Sequence, residues 1–159
     1  MNANIVIDNI ITRASVRQYE KEHSVEHEKI QLMLRAGMAA PSILNKQAWH
    51  FVVVIQREIL DQLAVACPNS AMVKNAPLAI IVCGDMARAQ TDSVRQYWIQ
   101  ECSAATQNIL LAAHALGLGA VWTGVYPVWK DESTTSDRCR ETKKVRHIPS
   151  HLIPLNILV

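Results

Sequence analysis

Short apolar runs alternate along this chain with longer segments whose apolar residues recur at helical spacing, which predicts four strands interleaved with helices. Residues 5–11 (IVIDNII) predict a short apolar helix that positions the segment after it. Ser24 can cap a second helix whose first turn holds Glu26 and Glu28, acidic residues that suit the helix dipole. Ile30, Met33, Leu34, Gly37 and Ala40 then follow at helical spacing until Pro41 ends the run, and Met33 and Met38 read as core filler. Residues 49–56 (WHFVVVIQ) predict a buried strand and residues 57–66 a short amphipathic helix. Cys67 to Met72 reads as a loop introduced by Pro68, and residues 78–84 (LAIIVCG) as a second buried strand rich in β-branched side chains.

The helical pattern returns from about Gln90 to Leu116. Cys102, Ala105, Ile109, Ala112, Ala113 and Leu116 lie on overlapping apolar faces, so this alanine-dense helix should be central and closely packed. Gly117 and Gly119 read as a helix C-cap and a tight turn. A dinucleotide-binding loop requires its glycines after a strand and before a helix, the reverse of the order found here. Residues 120–126 (AVWTGVY) predict a third strand and residues 152–158 (LIPLNIL) a fourth. Residues 130–147 between them hold a single aliphatic residue, Val145. They are expected to form a solvated crossing or to have drifted from an earlier pattern.

Length and composition narrow the class. The 159 residues, 50% hydrophobic and 19% charged, suit one globular domain spanning 1–159. A net charge of +2 with interspersed signs leaves no basic stripe, which argues against nucleic acid as a partner. No stretch of eighteen apolar residues occurs, and the first residues lack a basic-then-apolar signal, so the expectation is a cytoplasmic protein without a membrane partner. The four cysteines form no CxxC pair. The histidine pairs His23/His27 and His147/His151 have no third ligand nearby, so no metal site is expected.

Two segments carry candidate chemistry. In TRASVRQY (12–19), Arg13, Ser15 and Arg17 alternate and can lean to one side of an extended chain. Guanidinium forks and a hydroxyl suit a phosphate, although two arginines in a surface turn are also ordinary solvated charge. In APSILNKQAWHF (40–51), Ser42, Asn45 and Gln47 beside a proline turn can bond the polar edge of a planar heterocycle, or simply bond their own backbone.

Together with VWTGVYP (121–127), these segments resemble the nitroreductase family, the FMN-dependent NAD(P)H oxidoreductases. NAPLAIIVCGD (75–85) and QNILLAAHALGLGAVWTG (107–124) also fit, and the likeness runs from about residue 8 to residue 128. The resemblance implies an α+β fold: a three-layer α-β-α sandwich around a mixed, largely antiparallel sheet, assembled as a homodimer with two flavin sites across the interface. Arg13, Ala14, Ser15 and Arg17 would hold the FMN phosphate and ribityl region. Pro41, Ser42, Ile43 and Asn45, with Gln47 as a weaker candidate, would reach the isoalloxazine ring from the other subunit. Thr123 and Gly124 would lie beside flavin N5 and O4, and Asn69 falls near a position where some relatives supply a flavin contact. The implied reaction is ping-pong: NAD(P)H reduces the flavin, which then reduces a nitroaromatic, quinone or similar acceptor, with water able to supply protons and no dedicated acid or base assigned. The alternative is a degenerate, non-catalytic flavin-binding member.

Two departures from the family pattern stand out. Ala48 replaces the proline usual before the tryptophan, and the chain stops at Val159 where relatives continue into a tail that commonly adds a basic residue at the phosphate. The expectation is a truncated or divergent C-terminal part. One missing charge-assisted contact would weaken FMN binding by about 1.5–3 kcal/mol.

Overall fold

A computed structural model of the chain describes residues 4–89, 95–125 and 152–158, so the crossing predicted over 130–147 lies outside the described residues. Among the described residues four strands, β1 (Trp49–Val54), β2 (Ala79–Asp85), β3 (Trp122–Gly124) and β4 (Leu152–Leu158), form one sheet in the order β1-β2-β4-β3. All three pairings are antiparallel, running from Trp49 opposite Gly84 on one side to Thr123 opposite Ile157 on the other. A parallel bridge, Ser15 to Ala120, joins the segment after the first helix to the approach of β3. The sheet is thus largely antiparallel with a parallel contact.

Alternation along β2 explains where the core sits. Ile80 and Val82 feed a cluster with Met33, Trp49, Trp98, Cys102 and Ile109, while Ala79, Ile81 and Cys83 feed another with Val54, Leu60, Leu63, Val73 and Val121. Successive side chains on a strand point to opposite faces, so β2, buried at every position, serves both clusters. Helices α2 (His27–Met38) and α4 (Trp98–Ala115) supply the first cluster, and α3 (Arg57–Ala66) supplies the second. The remaining helix, α1 (Ile5–Thr12), has no buried residue.

Several boundaries differ from the sequence expectations, each for a local reason. α2 begins at His27 and not after Ser24; its cap residue is the extended Glu26, which makes no side-chain cap bond and instead accepts from Lys29 Nζ at 3.1 Å. The helix ends at Met38, whose side chain is half exposed, so Met33 is core filler and Met38 is not. The stretch after Cys67 is a 3₁₀ segment over Pro68–Asn75, started by a proline whose fixed φ suits a helical first position. The Arg57 guanidinium fastens its far end by donating to the carbonyls of Lys74 and Ala76. Of the long helical run predicted from Gln90, residues 90–94 lie outside the described residues, and α4 begins at Trp98 after a 3₁₀ turn at Arg95–Tyr97.

Gly117 caps α4 as expected: its φ is +75°, and the Leu118 N–H donates back to the Ala113 carbonyl at 2.9 Å. Gly119 plays a different part from the tight turn predicted. A Cβ there would stand 2.8 Å from a Val16 methyl, so this glycine lets the 13–17 segment lie against the chain leading to β3. Gly84 does the same for Trp98, whose ring covers it so closely that an added Cβ would lie 2.8 Å from Cδ2 and Cζ3. Gly84→Ala should therefore cost about 1–3 kcal/mol by overpacking. Urea unfolding checks this; an unchanged midpoint would show that α4 is not seated on β2 in this way.

Candidate functional site

The fold collects most of the candidate residues around β3. The Val16 N–H donates to the Ala120 carbonyl at 3.1 Å, next to the Ser15–Ala120 bridge, so the TRASVRQY segment lies along the approach to β3. Arg13 is half-buried, and Ala14, Ser15 and Arg17 are exposed. Neither arginine has a hydrogen-bond or ion-pair partner among the described residues. Asn69 is exposed, and its neighbour Ser70 is buried with its hydroxyl 2.8 Å from that of Thr123. That buried pair ties the 3₁₀ segment to β3 and turns the Thr123 side chain inward. Gly124 has no such constraint among the described residues: a Cβ built on it meets none of their atoms within 4 Å, and its φ lies outside the positive region. β3 is an edge strand of the sheet among the described residues.

The Pro41–Gln47 loop stands apart. It leads into β1, at the opposite edge of the sheet, with β2 and β4 between it and β3. Three strand spacings separate the two edges, about 14 Å. Leu44, Asn45 and Gln47 have φ of 50°, 53° and 51°, left-handed values that asparagine tolerates and leucine resists. Ser42 Oγ accepts from the Gln47 N–H at 2.9 Å, so the loop bonds part of its own backbone. Pro41, Leu44, Asn45 and Gln47 are nonetheless exposed, and the Asn45 and Gln47 amides bond no described residue. Ser42 and Ile43 are half-buried. Within one chain, then, the arginine segment, Asn69, Thr123 and Gly124 are gathered, and the 41–47 loop is not brought to them.

Two residues that the sequence reading did not single out hold these parts in place. Ser70 does so for β3, as described. Glu101, in the first turn of α4, is buried and accepts the Ile43 N–H on Oε1 at 2.8 Å and the Ala48 N–H on Oε2 at 3.2 Å. A signal for Glu101 was present in the sequence: it is the one Asp, Glu, Lys or Arg between Trp98 and Gly117. Such a charge in an apolar helix requires partners.

The Nitroreductase family model matches residues 10–69 and 62–153, and the chain belongs to that family. Among curated relatives, a protein of Methanothermobacter thermautotrophicus provisionally named NADH dehydrogenase/NAD(P)H nitroreductase is 44% identical over 153 residues, covering 96% of this chain and 74% of its own. A crystal structure of a like-named protein from Bacteroides thetaiotaomicron is 48% identical, with a TM-score of 0.84, over 99% of this chain and 85% of that one. A protein from Desulfovibrio desulfuricans provisionally named a nitroreductase, solved in complex with FMN, superposes with a TM-score of 0.79 at 32% identity, over 99% of this chain and 86% of that one. Among the described residues no cluster of three or more His, Cys, Asp or Glu is arranged for a metal, and no helix is long and apolar enough to cross a membrane.

Three groups near these elements hold their protons tightly. Burial pushes Tyr19 up to about 12 from an ordinary 10.0, with Arg17 opposing, and burial alone pushes the Cys83 thiol up to about 12 from 9.0. The Cys102 thiol rises further through burial, then Cys83 and Glu101. Above the ordinary values the unfolded chain releases these protons while the folded chain keeps them, so stability has a negative slope against pH there. The contribution is whole below the ordinary thiol value of 9.0 and lost as pH climbs towards 12. The urea midpoint is expected to fall steadily over that range, and a flat midpoint would contradict the burial of these groups.

Proposed function

We propose that the chain binds FMN and acts as an NAD(P)H-dependent oxidoreductase on nitroaromatic, quinone or similar electron acceptors. The observation that carries this reading is the face of Gly124 left open by the described residues, on the edge strand whose approach pairs with the segment of Arg13 and Arg17, two arginines that have no partner among the described residues. Neither its backbone conformation nor packing among the described residues requires the glycine. Close approach of a flat ligand gives it a reason.

The residues present fit the cofactor. Arg13 and Arg17 would take the phosphate by charge-assisted bonds, and Ala14 and Ser15 would line the ribityl region. The backbone of Thr123 and Gly124 would meet the N5 and O4 side of the ring, with the Thr123 side chain held inward by Ser70. Asn69, exposed beside Ser70, would reach the same side. FMN would supply hydride transfer from NADH or NADPH to the acceptor, in alternating half-reactions. No side chain is assigned as catalytic acid or base.

The remaining contacts, from Pro41, Ser42, Ile43, Asn45 and Gln47, would come from a second copy of the chain, because one chain holds that loop at the far sheet edge. α1 supports the homodimer: Ile5, Val6, Ile7, Ile10 and Ile11 are all exposed, an apolar surface that favours burial against a partner. In this reading the sheet is the middle layer of a three-layer α-β-α sandwich. We place the enzyme in the cytoplasm.

Purified protein with added FMN should show bound flavin absorbance that NADH or NADPH bleaches without oxygen and a quinone restores. Bound flavin with no bleaching would select a non-catalytic flavin-binding role instead. Gly124→Ala should leave the apoprotein's melting temperature unchanged and weaken FMN binding at least tenfold, about 1.4 kcal/mol or more. Unaltered FMN affinity in that variant would remove the main support for the site.

A further inference from the structure

We infer that Glu101 is the positioning residue that shapes the 42–48 loop for the flavin ring, an inference that rests on the function proposed above. Its carboxylate spans the loop: one oxygen takes the Ile43 N–H and the other the Ala48 N–H, closing both ends onto the first turn of α4. Between those two anchors lie all three non-glycine residues of the described chain with positive φ, Leu44, Asn45 and Gln47. Such conformations persist only where the surroundings over-determine them. Local bonds alone are few: Asn45 N–H to the Ser42 carbonyl at 3.2 Å, Lys46 N–H to the Ile43 carbonyl at 2.9 Å, and Gln47 N–H to Ser42 Oγ.

The anchoring helix is itself firmly seated. Trp98, one turn before Glu101, covers Gly84, and the Cys102 thiol donates to the Cys83 carbonyl at 3.5 Å. Ala48 is tied a second time, its carbonyl accepting the Asp85 N–H at 2.9 Å. The outcome is a buried, rigid base under a strained loop whose Asn45 and Gln47 side chains are exposed. Rigid seating of this kind is what binding a planar ring edge-on demands. A carboxylate of this length closes both anchors at once. Glutamine has the same length but offers an acceptor at only one position, and its NH₂ would face a second N–H donor.

The test compares Glu101→Gln, Glu101→Asp and Asn45→Ala by FMN titration, by the visible circular dichroism of bound FMN, and by the melting temperature of the apoprotein. Glu101→Gln should lose FMN affinity about ten- to a hundredfold and alter the visible dichroism of the flavin. Glu101→Asp, which keeps both oxygens but retracts them, should show a smaller change of the same sign. A melting temperature that falls while flavin dichroism and affinity stay as in the wild type would mean that Glu101 only supports the fold, and would overturn the inference. If Glu101→Gln does not fold, Glu101→Asp decides by the same two flavin readouts. Asn45→Ala separates the two levels: if it leaves both readouts unchanged, the loop does not touch FMN, and the proposed site falls together with the inference. If it changes them while both Glu101 variants do not, the proposed site stands and the inference fails.

Discussion

An eighteen-residue helix that is apolar on nearly every side is stable only when covered on nearly every side, and the structure is organised by meeting that requirement for α4. One flank lies on β2, with Trp98 over Gly84, and another packs on α2, where Gly37 gives Ile109 room. Its C-terminal end is tied to α1: the Asn9 amide donates to the Leu111 carbonyl, and Thr12 Oγ1 lies 2.9 Å from His114 Nε2. Thr12 already donates to the Asp8 carbonyl, so the His114 ring N–H must be the donor in that contact. Fixing α4 fixes both candidate regions, since the 42–48 loop is bonded to its first turn and the approach to β3 leaves from its last.

This arrangement separates the two halves of the candidate site as firmly as it builds each. The arginine segment, Asn69, Thr123 and Gly124 belong to one sheet edge, and the strained loop belongs to the other. A strained loop and an uncovered apolar helix are both costly for a solitary chain, since the first stores backbone energy and the second leaves aliphatic surface in water. In the proposed homodimer each copy receives the loop its own β3 edge lacks, and the apolar face of α1 is available for burial against the partner.

Much of this was legible in the sequence, and the limits are physical. α3 and β4 match their predicted spans to the residue, because a short amphipathic run and a short apolar run bounded by polar residues leave few choices. The N-terminus of α2 lies later than the pattern suggests because Ser24 is a good capping type two residues before the observed cap, Glu26. Met38 was misjudged because helical spacing alone does not fix how wide the buried stripe is. The phosphate-like pattern of Arg13, Ser15 and Arg17 was visible, while its neighbour was not, since the Ser15–Ala120 bridge joins positions about a hundred residues apart. The same holds for Glu101, whose partners lie 58 and 53 residues away. Local patterns report the elements and the candidate residue types, whereas the supports beneath them are long-range contacts.

In the proposed enzyme a flavin site forms only when two copies of the chain combine their opposite sheet edges. Sedimentation velocity on the FMN-loaded protein, followed in the visible flavin band across a dilution series, tests this directly. The predicted result is that flavin absorbance sediments with the dimer and is lost as the dimer dissociates. A boundary of monomer carrying one FMN per chain would contradict it.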